Sequence, residues 1–148
     1  MQNSEAMALS AALLAVAGEL TQRIDEGVAA RGFDGIRPAH GFAFARLAPD
    51  GATVTELAAH LGVTKQAASQ LVDDIVRKGY AERRAHPRDA RARLVVLTAR
   101  GWACARAAEE AAAEVVRGWS ETLGAGEVRV LRDALARIAP YGPLRPSW

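Results

Sequence analysis

Residues 53–79 carry the signal that most restricts the fold of this chain. Thr53-x-x-Glu56 has the spacing of a capping box, in which a hydroxyl and a carboxylate satisfy free N–H groups at the start of a helix. Leu57, Ala58 and Leu61 then form the buried stripe of a short helix, and Gly62 follows at once, suited to the positive φ of a tight turn. Thr64 is a second N-cap, opening a helix to about Lys78 with Ala68, Leu71, Val72, Ile75 and Val76 on its inner face and Gly79 as its stop. Two short helices joined by Leu61-Gly62-Val63-Thr64 make a helix-turn-helix.

Behind the second helix the period changes from helical to alternating. Tyr80 to Arg84 and Arg93 to Leu97 read as short strands around the turn His86-Pro87-Arg88-Asp89, with Val95 and Leu97 sharing a face. A hairpin in that position is a wing. Upstream, Leu9, Leu13, Val16, Leu20, Ile24 and Val28 recur at helical steps until Gly32-Phe33-Asp34-Gly35 breaks the pattern. Pro38 then opens a short helix carrying Phe42, Phe44 and Leu47, and Pro49-Asp50-Gly51 turns the chain. Downstream, Thr98 caps a long helix with Trp102, Ala105, Ala112, Val116, Trp119 and Leu123 along one side, ended by Gly124 and Gly126. A last helix shows Val128, Leu131, Leu135 and Ile138 before Pro140, and residues 141–148 form a Pro-rich tail ending in Trp148. The expected fold is mainly α with a small β-hairpin: a winged helix-turn-helix core flanked by long N- and C-terminal helices. The divisions are 1–34, 35–101 and 102–148, within one compact chain.

The 148 residues include 33 alanines, so much of the nominal 50% hydrophobic content is small side chains suited to helix packing. The net charge of +2 conceals a strong asymmetry. Residues 1–59 carry four basic and seven acidic side chains, residues 60–101 nine and four, and residues 102–148 six of each. The basic segment coincides with the helix-turn-helix and hairpin, where Arg83, Arg84, Arg88, Arg91 and Arg93 face only Glu82 and Asp89. Such a hairpin fits phosphate backbones and the narrow, negative minor groove of double-stranded DNA.

Other functions lack their chemistry. One Cys cannot form an internal disulfide, and the three His have no metal-ligand spacing, so no cofactor or metal is expected and a reducing cytoplasmic setting fits best. Asp73 and Asp74 point to different sides of a helix, and no Ser, His and Asp arrangement or Gly-rich phosphate loop supports an enzyme. Ala6 to Ala17 is apolar enough to suggest a signal peptide, but acidic Glu5 and the lack of a basic side chain before Arg23 oppose that reading. No apolar run reaches the roughly 18 residues of a membrane span, so no membrane partner is expected.

The motifs Thr55-Glu56-Leu57-Ala58, Leu61-Gly62-Val63-Thr64-Lys65-Gln66, Ser69 to Asp73 and Arg77-Lys78-Gly79-Tyr80 resemble the MarR (multiple antibiotic resistance regulator) family. The more particular part is Pro87-Arg88-Asp89-Ala90-Arg91 followed by Val95-x-Leu97-Thr98-x-x-Gly101. The resemblance implies a homodimeric transcriptional repressor, less often an activator, released by a small phenolic or other anionic ligand. It also implies that Arg91 enters the minor groove, that Arg83, Arg84, Arg88 and Arg93 serve wing and phosphate contacts, and that Asp89 orients the wing through an ion pair.

A recognition helix presents its N-terminal residues to the major groove, which makes Thr64, Lys65, Gln66, Ser69 and Gln70 the expected contact set. Lys65 suits phosphate or guanine, Gln66 and Gln70 suit adenine, and Thr64 and Ser69 suit phosphate. Acidic Asp74 departs from the basic residue many relatives carry there, which speaks against phosphate contacts from the C-terminal half of this helix. The flanking helices bear apolar stripes best buried against a second copy, giving two recognition helices about one DNA turn apart. By resemblance, an effector pocket between those helices and the DNA-binding lobe would draw on His40, Phe44, Arg46 and Trp102. Cys104, in an apolar Ala-rich setting, is expected to be inert. The alternatives are a winged-helix module that binds protein, and a regulator with no effector pocket.

Overall fold

The computed structural model describes residues 2–139; Pro140 and the Pro-rich tail with Trp148 lie outside the described residues. Six helices and one hairpin follow in order: α1 Asn3–Ala30, α2 Pro38–Leu47, α3 Val54–Leu61, α4 Lys65–Arg77, β1 Ala81–Ala85, β2 Arg93–Leu97, α5 Ala99–Leu123 and α6 Ala125–Ile138. The expected fold class is the observed one.

The helix-turn-helix forms through the residues its caps dictate. The Thr53 and Thr64 hydroxyls each accept a first-turn N–H, from Glu56 and Ala67 respectively, both at 3.1 Å. Gly62 holds φ 67° and ψ 33°, a left-handed conformation that side chains with a Cβ rarely adopt. The capping box at Thr53 is only half made. Glu56 turns one carboxylate oxygen to the Thr53 hydroxyl (3.1 Å) and the other to Arg46 (2.8 Å), so the stronger ionic partner replaces the return bond to the backbone.

Beneath these helices lies a core of Phe44, Leu47, Leu57, Leu61, Val72, Ile75, Tyr80 and Val95, all buried. Tyr80 packs its ring at 5.6 Å from that of Phe44 and 6.3 Å from that of Phe33. The hairpin pairs antiparallel from Ala81 opposite Leu97 to Ala85 opposite Arg93. Tyr80 itself is not in the strand: its N–H closes onto the Ile75 carbonyl at the end of α4, and its carbonyl accepts the Thr98 N–H. Ala52 adds an unexpected isolated bridge to β2 through two backbone bonds with Val95, of 3.0 and 2.8 Å.

Within the chain α5 buries Gly101, Cys104, Ala107, Ala111 and Val115, and leaves the stripe of Trp102, Ala105, Ala112, Val116, Trp119 and Leu123 half-buried or exposed. Small residues let α1 approach closely, as a Cβ added to Gly27 would meet Ala111 at 2.6 Å, while Trp102 stays 40% exposed. Gly124 alone separates α5 from α6, and Gly126 lies inside α6. The membrane argument also changes. α1 is long and apolar enough to cross a bilayer by length and composition, with a mean hydropathy of 1.2 over 18 residues. Its C-terminal part is tied to α5, where Arg31 bridges Glu110 (3.3 Å) and Glu114 (2.6 Å). Leu9, Leu13, Leu14 and Val16 on its N-terminal part are exposed.

Candidate nucleic-acid interface

Helix α4 divides its residues between two jobs. Ala68, Val72 and Ile75 are buried, whereas Lys65, Gln66 and Gln70 are exposed and Ser69 is half-buried. Apart from the capping bond of Thr64, none of these five expected contact residues spends its side chain on an internal bond among the described residues. The face is therefore polar, ordered at its first turn and available, as groove recognition requires.

The hairpin continues that face. Arg83 of β1 pairs with Asp73 of α4, which joins the base of the wing to the outer side of the recognition helix. Arg84 pairs with neighbouring Glu82. The guanidinium groups of Arg88, Arg91 and Arg93 have no acidic partner among the described residues and are exposed, so the uncommitted positive charge gathers at the turn and the start of β2. Asp89 differs from the expected ion-pair role. Its Oδ1 accepts the backbone N–H of Arg91 at 2.9 Å, and its carbonyl accepts that of Ala92 at 3.1 Å. Two residues of separation favour a local turn bond, so Asp89 sets the wing-tip backbone and leaves the Arg91 side chain free.

Asp74 has a role that its sequence position did not reveal. It faces inward, where Oδ2 takes a 2.8 Å hydrogen bond from His40 Nε2 and lies 3.0 Å from Lys78 Nζ, while Oδ1 pairs with Arg77 at 2.6 Å. His40 is fully buried, and its Nδ1 accepts the Arg37 N–H at 2.8 Å. Both ring nitrogens are thus committed, which fixes the neutral tautomer carrying its proton on Nε2. Burial lowers the pKa of His40 against the opposing pull of Asp74. Burial works against ionisation of Asp74 too, but the hydrogen bonds from Lys78 and His40 outweigh it and hold the carboxyl at about 2. Lys78 also donates to the Gly35 carbonyl at 2.9 Å. The C-terminal end of α4 is clamped in this way to the start of α2.

Stability should fall on acidification in two steps. An unfolded chain protonates His40 below about 6.5 while the folded one resists, so stability declines from there downward. The Asp74 contribution is complete above its ordinary value of 3.8 and is lost as pH falls toward about 2. Chemical denaturation between pH 7.5 and 5 should show this decline flattened in His40→Gln; a parallel slope in the variant would contradict the assignment.

Between α1, α2 and α5 lies a cavity of about 430 Å³, mainly apolar, whose wall includes Ile24, Val28, Ile36, Phe44, Cys104 and Ala108. Of the four residues expected there, Phe44 lines it. The other three do not: His40 is turned to Asp74, Arg46 is bound to Glu56 and the Gly51 carbonyl, and Trp102 sits outside on α5. Each was chosen for a polar or large side chain, whereas the wall is built mostly from small and aliphatic ones. Cys104 is fully buried, and burial, against a smaller effect of Arg100, raises its thiol to about 11. Too little thiolate forms near neutrality for reaction with oxidants. Peroxide should leave DNA affinity unchanged, and release by peroxide that disappeared in Cys104→Ser would refute this.

The sequence model of the MarR family matches residues 35–92, which span the helix-turn-helix and most of the hairpin. None of the curated proteins compared matches the chain. Among solved structures, wild-type apo MarR from E. coli is similar at 25% identity and a TM-score of 0.71, over 89% of this chain and 97% of that one. A mutant E. coli MarR in complex with operator DNA gives 25% identity and a TM-score of 0.73, over 92% and 96%. A MarR-family transcriptional regulator from Rhodococcus sp. RHA1 gives 20% and 0.71, over 94% and 96%. With the capped helix-turn-helix, the arginine-rich wing and both flanking helices in place, the chain has the winged-helix fold of these proteins, and its residues 35–92 are similar to the MarR family.

Proposed function

We propose that this protein is a transcriptional regulator that binds double-stranded DNA as a homodimer and represses its target until a small molecule occupies the cavity between α1, α2 and α5. The carrying observation is the continuous surface formed by the uncommitted polar face of α4 and the unpaired arginines of the wing. Thr64, Lys65, Gln66, Ser69 and Gln70 read the major groove, Arg91 enters the minor groove, and Arg88 and Arg93 hold phosphates. The DNA-bound E. coli relative supports this docking.

A second copy is the best cover for the apolar residues left exposed on the end helices, which include Leu9, Leu13, Leu123, Leu131 and Leu135. Two recognition helices then meet successive turns of a pseudo-palindromic operator in the cytoplasm. The effector part rests on the cavity touching Ile36 to Pro38, the segment that leads into the α2–α4 clamp. A ligand that moved this segment would move α4 with it.

Binding of a promoter fragment against scrambled DNA, followed by fluorescence anisotropy, tests the central claim. Equal affinity for both would favour a winged helix that serves protein contacts instead. Light scattering at micromolar protein should return twice the chain mass. A monomer, or protein recovered only with membranes, would remove the dimer from the reading.

A further inference from the structure

The cavity wall bears more negative than positive charge. Asp25 of α1 and Glu109 of α5 both line it, against Arg37 at the start of α2. Arg37 and Glu109 are exposed to water, and neither carboxylate has an ion-pair or hydrogen-bond partner among the described residues. Other acidic side chains of α1 and α5 are matched: Glu110 and Glu114 by Arg31, and Glu19 by Arg23. Asp25 is half-buried, and burial pushes its carboxyl above the ordinary carboxylate value. A carboxylate held between apolar helices without a counter-ion is left to be neutralised by a proton or by an incoming cation.

We propose that the cavity takes a lipophilic cation, with an aromatic or branched apolar body against Ile24, Val28 and Phe44 and its positive charge held by Asp25 and Glu109. A volume of about 430 Å³ falls in the range that encloses one small organic molecule. The ring of Phe44 adds a face attractive to cations. An anionic ligand of the kind the family resemblance implies meets the half-buried, unpaired Asp25, while Glu109 and Arg37 are both solvated, an arrangement that opposes its entry. This assignment rests on the reading of the cavity as the effector site.

Tetraphenylphosphonium and its near-isostere tetraphenylborate, titrated calorimetrically into the full-length protein, separate charge from size. The ratio of cation to anion affinity should fall about tenfold in Asp25→Asn, further in Asp25→Asn with Glu109→Gln, and persist in Asp25→Glu. In the wild type, the cation should also lower the anisotropy of labelled operator DNA. An unchanged ratio in the double variant overturns the proposal, as does an Asp25→Asn protein that loses its dimer while the ratio holds, because the counter-ion would then be a residue of the second copy. Ala108→Phe fills the cavity and should abolish binding of both ions. Undiminished binding of both to that variant, or no binding of either to the wild type, would sink the effector-site reading itself; an anion preference blocked by Ala108→Phe would sink only the cation.

Discussion

Replacing Arg91 with Ala should weaken operator binding by at least tenfold, while Arg83→Ala should weaken operator and scrambled DNA alike. Arg91 is uncommitted and stands on a turn whose backbone is fixed by Asp89, so its guanidinium enters a groove without first breaking an internal bond. A groove-reading arginine contributes about 1–3 kcal/mol, roughly five- to 150-fold, and the lack of an internal bond to break puts Arg91 in the upper part of that range. Arg83 differs because it neutralises Asp73 on the outer face of α4. Its removal exposes a carboxylate to the phosphates, so the loss should exceed that of one phosphate contact. Adding Asp73→Asn to Arg83→Ala should restore much of the affinity, a coupling that independent contacts would not show. With about six phosphates neutralised in the wild type, log affinity should fall with log salt at a slope near −5. Anisotropy titrations at two salt concentrations provide all of these values. Arg91→Ala within twofold of wild type at both would remove the wing from the groove.

Gly101→Ala should cost about 3 kcal/mol of stability and lower the melting temperature by roughly 10 °C. A Cβ at this position would lie 2.1 Å from the Tyr80 carbonyl oxygen and 3.1 Å from a Leu97 methyl. The oxygen cannot retreat, since it accepts the Thr98 N–H at 3.0 Å. Thr98 is anchored as well: its hydroxyl donates to the Gly79 carbonyl at 2.6 Å and accepts the Gly101 N–H at 3.2 Å. The first turn of α5, the end of α4 and the last residue of β2 meet here with no slack. Thermal melts should show the drop, and a Gly101→Ala protein melting within 2 °C of wild type would mean that the junction yields more easily than its bonds suggest. Gly18 and Gly118, which have open space around them, are suitable controls.

The same junction shows what could be read from the residues alone. Leu97-Thr98-x-x-Gly101 was visible as a motif, and the caps at Thr53, Thr64 and Thr98 placed three helix starts to the residue, because capping is local and its partners are three positions away. The exposed polar side of α4 was also legible, since its inner face is consistently apolar. Side-chain pairings between different elements were not. Nothing near Asp74 announces His40, 34 positions earlier, and Arg83 gives no sign of its bond to Asp73. Asp89 was misassigned because a carboxylate among arginines suggests an ion pair, although backbone turn bonds at two-residue spacing are the nearer competitor. Of the cavity's wall only Phe44 was named, because the rest is largely Ala, Ile and Val, residues that equally describe a packed core. The residues by which α5 meets α1 went unread for a related reason: the tight contact uses small side chains, which make no large apolar stripe.

That contact also has a mechanical side. Gly27 against Ala111 makes a pivot, and the bonds of Arg31 to Glu110 and Glu114 brace it on one side. From Gly27 to the start of α1 at Asn3 the helix runs about 36 Å at 1.5 Å per residue. A rotation of about 5° at the pivot therefore carries the far end through roughly 3 Å, the width of a side-chain contact. α1 borders the cavity with Thr21, Ile24, Asp25 and Val28, on both sides of that contact, so a small tilt there would be enlarged to ångströms at the opposite end of the helix.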